Sequence, residues 1–234
     1  MADARERAGM KMAKITSMKS REIEKCLNDY LSIRDPNQRY ASYDYCYNYF
    51  RSFADSDQTN ALSSDEYKQN SCLQLGFYLA SWGMYRGSSQ LLQKSAKELE
   101  KVIKVIAATD PALFKIDLHK YDEKSIQQIL DLKDRLQEAF SHDATTTLLT
   151  KTMLGVFGCI PAFDSYFVRG SGLRTVNEEN LLQIKDFYLR NEDLIERNRN
   201  SRFTLNFDSG EPTKHQYTRA KMIDMIFFIA GSPR

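Results

Sequence analysis

Helical periodicity dominates this chain: apolar side chains recur at spacings of three and four in one segment after another, and strand-like alternation is confined to two short stretches. The pattern predicts an all-α, mainly helical fold. Over residues 17–33, Met18, Ile23, Cys26, Leu27 and Leu31 fall near one face, and Asp35-Pro36 stops the run. The next helix, over 39–53, is unusual in that Tyr40, Tyr43, Tyr45, Tyr47, Tyr49 and Phe50 surround it with rings instead of forming one stripe. After a polar loop over 54–64, Ser64 or Asp65 is placed to cap a long helix running through Trp82 and Arg86, with close backbone approach at Gly76 and Gly83. Further helices are expected over 91–108 and 121–140, and a capping box from Thr175 to Glu178 is expected to open one more, reaching residue 197. The two alternating stretches, Phe114-Ile116-Leu118 and Phe203-Leu205-Phe207, are predicted to pair as a small two-stranded ribbon.

A chain of 234 residues with 42% hydrophobic and 12% aromatic side chains can close around one core, and no linker-like composition divides it. A single helical domain over 1–234 is expected, with 1–16 as an N-terminal arm and a monomer as the simplest state. Charged residues make up 27% and the net charge is +2, so composition names no partner, and a nucleic acid would be held through a local patch. Cys26, Cys46, Cys72 and Cys159 lie far apart without a CxxC, the usage of buried free thiols in a reducing compartment, and the cytoplasm is the expected location. His119, His142 and His215 are scattered, with no HExxH spacing, so neither a metal nor another cofactor is expected. The charged N-terminal stretch lacks the apolar core of a signal peptide. The most apolar run, 220–230, is about half the roughly 20 residues that span a bilayer and contains Asp224. It predicts a buried closing helix and no membrane partner.

The segment with most chemical content runs from Thr147 to Gly172, where an apolar helix breaks at Gly155-Val156-Phe157-Gly158 and a second begins near Pro161. Two glycines three apart allow positive φ and expose backbone N–H groups, which with a following helix N-terminus can hold a phosphate. Lys151 lies one turn before them, and Asp164 falls in the first turn of the second helix, where the helix dipole favours a carboxylate.

On Leu154-Gly155-Val156-Phe157-Gly158 and Asp164 this segment resembles the helix-hairpin-helix DNA glycosylases, whose hairpin turn binds DNA backbone and is followed by an essential aspartate. The resemblance implies an enzyme that flips a base, modified in the reading favoured here, and hydrolyses its N-glycosidic bond to leave an abasic site. By extension it suggests defence against phage with hypermodified DNA. Asp164 would stabilise the oxocarbenium-like transition state and orient a water. Gly155 and Gly158 would contact the DNA backbone, and Lys151 would serve as a phosphate contact, the favoured role, or as an amine nucleophile. A flipped base needs aromatic walls and a few hydrogen-bonding groups, for which Tyr45, Asn48, Tyr49, Trp82 and Arg86 are the candidates.

Each of these residues also has a plainer reading. The glycines can simply let two helices pack closely, Asp164 can support its helix, and the tyrosines can fill core and rim. Asn48, an amide among rings, is either a tie between helices or a base reader, and Trp82 with Arg86 one turn on suggests a stacked pair or an internal salt bridge. The excision reading predicts a basic groove beside Gly155 to Asp164 and a cavity lined by Tyr45, Asn48 and Trp82. The alternative, a non-catalytic helical interaction module, predicts an exposed apolar patch and no deep cavity.

Overall fold

The computed structural model describes Ile15, residues 18–140 and residues 144–233. The expected arm over 1–16, apart from Ile15, and His142 lie outside the described residues. The fold is mainly α: α1 (Ser20–Ser32), α2 (Ala41–Asp55), α3 (Lys68–Ser81), α4 (Glu100–Ala107), α5 (Glu123–Ala139), α6 (Thr146–Phe157), α7 (Ser165–Ser171), α8 (Glu178–Arg190), α9 (Glu192–Asn200) and α10 (Arg219–Gly231), with strands β1 (Phe203–Leu205) and β2 (Pro212–Gln216) inserted before the last helix. No helix among the described residues is long and apolar enough to cross a membrane.

Local capping explains where the structure departs from periodicity. The stretch Phe114 to Leu118 is not a strand: Asp110-Pro111 and Asp117 cap two 3₁₀ turns, Pro111–Lys115 and Leu118–Lys120, with side-chain bonds to Ala112 N and Leu118 N. β1 therefore pairs with β2, its neighbour in sequence, in an antiparallel hairpin that sets Phe203 opposite Gln216 and Leu205 opposite Pro212. A short closure of this kind costs less chain entropy than pairing with a distant segment. The helix expected to run through Trp82 and Arg86 stops at Ser81, because Gly83 takes φ +82° while its N–H bonds Ala80 O and the Met84 N–H bonds Leu79 O. That pattern is a Schellman motif with Trp82 at the C-cap. Residues 91–99 supply turns and a 3₁₀ helix, Ala96–Leu99, before α4 begins. Asn177, not Thr175, caps α8, and Asn191 separates α8 from α9 where one helix was expected.

The closing helix α10 is buried along most of its length, including Lys221 and Asp224. Its free N-terminal N–H groups are satisfied by Thr218 Oγ1, which accepts from Lys221 N, and by Asp117, which accepts from Arg219 N and Ala220 N. It packs backbone to backbone against α7. A Cβ built on Gly231 would lie 1.9 Å from the Tyr166 carbonyl oxygen, and one on Gly170 would lie 2.2 Å from that of Phe227. Only glycine at both positions permits this contact. By contrast, a Cβ on Gly76 in α3 would meet nothing nearer than 3.4 Å. All four cysteines are buried and free.

A second constraint joins α2 to the hairpin. Asp44, 1% exposed, accepts from Leu205 N at 3.0 Å and from the Tyr217 hydroxyl at 2.8 Å, with Arg34 Nη1 at 3.8 Å. Burial outweighs these partners and lifts the Asp44 carboxyl from 3.8 to about 6.

Two stability measurements check this reading. Gly231→Ala is expected to cost about 3 kcal/mol or more in urea unfolding, as overpacking against backbone that cannot move, whereas Gly76→Ala is expected to be neutral or stabilising by up to about 1 kcal/mol. Equal effects would show that the α7–α10 contact is not tight. For Asp44, the folded state holds the proton more tightly than the unfolded chain, so its stabilising contribution is present at low pH and is lost as pH rises through about 6. The stability of the native protein relative to Asp44→Asn is expected to fall by about 2 kcal/mol between pH 4 and pH 7, and a pH-independent difference would contradict the shift.

Candidate active site

The loop from Gly158 to Asp164 is tied back onto its neighbours at nearly every residue. Thr150 Oγ1 accepts from Phe163 N at 2.8 Å, Thr147 Oγ1 donates to Phe163 O at 3.1 Å, Tyr121 donates to Cys159 O at 2.5 Å, and Ala162 N donates to Asp224 Oδ1 at 3.0 Å. The threonines of α6 thus place Asp164 against Lys151 of the same helix. Lys151 Nζ lies 2.9 Å from Asp164 Oδ2, with the two side chains 5% and 13% exposed. The other oxygen, Oδ1, accepts from Tyr166 N and Phe167 N at 3.0 Å each, so Asp164 is the N-cap of α7. Its helix starts at Ser165 rather than near Pro161.

The pair opens on a cleft of about 290 Å³. Trp82, set at the end of α3 by the Gly83 turn, forms one wall, with Lys151 Nζ 4.9 Å from its ring centroid. Tyr166 and Phe228 line the same space, their rings 5.1 Å apart and near perpendicular. Arg39 and Arg86 supply exposed cations at the rim, and Arg39 also lies 5.5 Å from the Trp82 ring. Thus Lys151, Asp164, Trp82 and Arg86 share one cleft. Trp82 and Arg86 do not form the stacked pair suggested by a continuous helix, because the helix ends at Ser81 and the chain turns at Gly83 between them, and Trp82 meets Lys151, Arg39 and Lys221 instead.

Tyr45, Asn48 and Tyr49 stand elsewhere. They line a separate cleft of about 420 Å³ beside the hairpin, and their polar atoms are engaged: Tyr45 donates to Pro36 O at 2.7 Å, and the Tyr49 hydroxyl lies 3.0 Å from Ser71 Oγ. Asn48 donates to Leu205 O at 2.8 Å and accepts from Thr204 Oγ1 at 2.7 Å. It is a tie between α2 and β1. The predicted base pocket is therefore divided.

Gly155 and Gly158 are both buried and offer no surface to a DNA backbone. A Cβ on Gly155 would sit 2.3 Å from the Tyr78 ring, and Gly158, at φ +64°, ends α6 with its N–H bonded to Leu154 O, hard against Thr218. These are packing glycines.

Residues missed by sequence reasoning complete the site. Arg39, Tyr166 and Phe228 come from three separate segments that only the fold joins. Behind Trp82 lies a second buried pair, Lys221 Nζ to Asp224 Oδ2 at 2.7 Å, with Nζ 4.9 Å from the Tyr30 ring, 4.6 Å from Tyr43 and 5.6 Å from Trp82. A Lys and an Asp three apart in an otherwise apolar helix were the sequence signal for it. Comparison with protein-family models, with curated proteins and with solved structures finds no match to this chain.

The two members of the cleft pair should differ in stability. Asp164→Ala removes a helix cap and strands a buried ammonium, for an expected loss of about 3–5 kcal/mol. Lys151→Met leaves Asp164 bonded to two N–H groups and adds apolar contact to Trp82, so urea melts are expected to show a loss below about 1.5 kcal/mol. The reverse order would mean that the cation, not the carboxylate, organises the site.

Proposed function

We propose that the Lys151–Asp164 cleft excises a base from nucleic acid by hydrolysing its N-glycosidic bond. The observation that carries this reading is a carboxylate and an ammonium, nearly buried yet opening on a cleft walled by Trp82 and Tyr166 and rimmed by Arg39 and Arg86. Aromatic walls suit the two faces of a base taken out of its stack, and rim arginines suit the phosphates that flank it. As the C1′–N bond breaks, its electron pair leaves with the base and positive charge grows on the sugar. Asp164, fixed by two N–H groups and Lys151, faces that charge without reorganising. A water adds its hydroxyl to C1′ and its remaining proton goes to the departing base nitrogen, leaving an abasic site. Lys151 positions the carboxylate in this scheme.

Purified protein incubated with ordinary, damaged and hypermodified phage DNAs is expected to generate alkali-labile abasic sites on at least one duplex. Asp164→Asn should lower the rate by about 10²-fold or more, the scale expected for loss of a transition-state charge. Borohydride trapping tests the role of Lys151: no covalent adduct fits a positioning lysine, and an adduct abolished by Lys151→Met makes the amine the nucleophile. Absence of excision across the panel would overturn the reading, most completely when DNA binding at low salt is absent as well. It would favour a helical interaction module, for which Leu73 and Phe77, 49% and 68% exposed one turn apart on α3, are the supporting patch.

A further inference from the structure

The molecule's positive charge is not spread evenly. A cleft of about 480 Å³ lies between β2 and the two 3₁₀ turns, lined by Arg51, Lys115, Lys120, Arg199, Lys214 and Arg219. Among the described residues, the carboxylates that reach these cations are Asp117, Asp55 and Glu196. Six cations against three acids leave a local excess of three, more than the +2 of the whole chain.

The cations are built in two tiers. The arginines are held in place: Arg51 by Asp55 and by Phe114 O at 2.6 Å, Arg199 by Tyr217 O at 2.8 Å and by Glu196, Arg219 by the Tyr188 hydroxyl at 2.9 Å and by Asp117 and Glu196. Guanidiniums fixed in this way lose little freedom when a ligand arrives, and each has five N–H donors to share between these acceptors and an anion. Lys115, Lys120 and Lys214 stand exposed around them. His119 and His215 also line the cleft; burial and the nearby cations, Arg219 for the first and Lys214 and Arg51 for the second, hold both below the usual histidine range, although Asp117 and Glu196 oppose this at His119 and Asp55 at His215.

The cleft continues past β2. Lys214 and His215 line both it and the neighbouring cleft of Tyr45, Asn48 and Tyr49. There Phe207, 74% exposed at the tip of the hairpin, stands 5.1 Å from the Tyr45 ring at an interplanar angle of 81°. Fixed cations leading to an exposed ring provide for phosphates and for bases in succession.

We propose that this trough is a second nucleic-acid site, which grips phosphodiester groups through Arg51, Arg199, Arg219 and the three lysines and receives a base against Phe207. The choice of a nucleic-acid strand over a small phosphorylated compound rests on the continuation of the cationic cleft into the aromatic one, and it deepens the excision reading without using Lys151 or Asp164. Arg219 and Phe228 are nine positions apart on α10, which separates the two sites by about 14 Å along that helix.

The test uses the full chain carrying Asp164→Asn, so that turnover is slow on the timescale of a titration, and fluorescein-labelled single- and double-stranded oligonucleotides titrated over a range of salt. Adding Lys115→Glu and Lys120→Glu together is expected to weaken binding about tenfold or more and to reduce the slope of log K against log salt by about 1 to 2, with unchanged circular dichroism and urea midpoint. Phe207→Ala should weaken single-strand binding while leaving the salt slope intact. Unchanged affinity and slope in the lysine variant would overturn the proposal. So would binding of pyrophosphate in the absence of oligonucleotide binding, which would assign the cleft to a small phosphorylated ligand. If the lysine variant loses binding while the native protein excises nothing, the trough stands and only the excision reading falls.

Discussion

The structure depends on placing a charged pair inside its last helix. Two ions taken out of water carry a penalty of several kcal/mol each, so Lys221 and Asp224 are tolerable in α10 only if their surroundings answer every demand. Their partners do so from distant parts of the chain. Lys221 meets Asp224 at 2.7 Å and lies within 4.9 Å of the Tyr30 and Tyr43 rings, from α1 and α2, while Asp224 takes the Ala162 N–H from the loop after α6. The pair therefore fixes where four segments meet. The glycine contact between α7 and α10 then brings the α7 backbone onto the same helix.

Trp82 transmits that order to the cleft. Its ring centroid is 5.6 Å from Lys221 Nζ on the core side of the arrangement and 4.9 Å from Lys151 Nζ in the cleft. The wall of the site is thus part of the cage around the buried lysine. A wall supported in this way does not need substrate to organise it, which is the condition for electrostatic stabilisation at low reorganisation cost. The Schellman turn at Gly83 is what frees Trp82 from the helix to take this position.

Much of the fold was legible because helices announce themselves by a local period. The mainly α class, the closing helix over 220–230 and the buried free cysteines follow from composition and spacing alone. Capping chemistry defeated periodicity at Asp110-Pro111 and Asp117, where a few side-chain bonds turned an alternating stretch into 3₁₀ turns. Of the candidate residues, Lys151, Asp164, Trp82 and Arg86 meet in one cleft, but Tyr45, Asn48 and Tyr49 lie in another, since their grouping assumed that neighbouring helices present their aromatic faces to a common space. Gly155 and Gly158 carry no signal in sequence that separates a ligand turn from a tight packing turn. The difference is made by Tyr78 and Thr218, which only the tertiary structure brings against them.

Among the described residues two buried Lys–Asp pairs of similar length occur, and their surroundings separate their roles. Lys221 and Asp224 are three apart on one helix, 2% and 8% exposed, and enclosed by rings. Exchanging it for apolar side chains would strand the Ala162 N–H that Asp224 accepts, so its role is structural. Lys151 and Asp164 stand thirteen residues apart, and six hydrogen bonds through Thr147, Thr150, Ala162 and Asp164 are spent on bringing them together beside a cleft. They are the pair that a ligand can reach. A flat aromatic group filling the space against Trp82 would exclude water from around Asp164, and the attraction between that carboxylate and any positive charge in the ligand would strengthen as the local dielectric fell. The same burial that makes the inner pair a structural element makes the outer pair responsive to what enters.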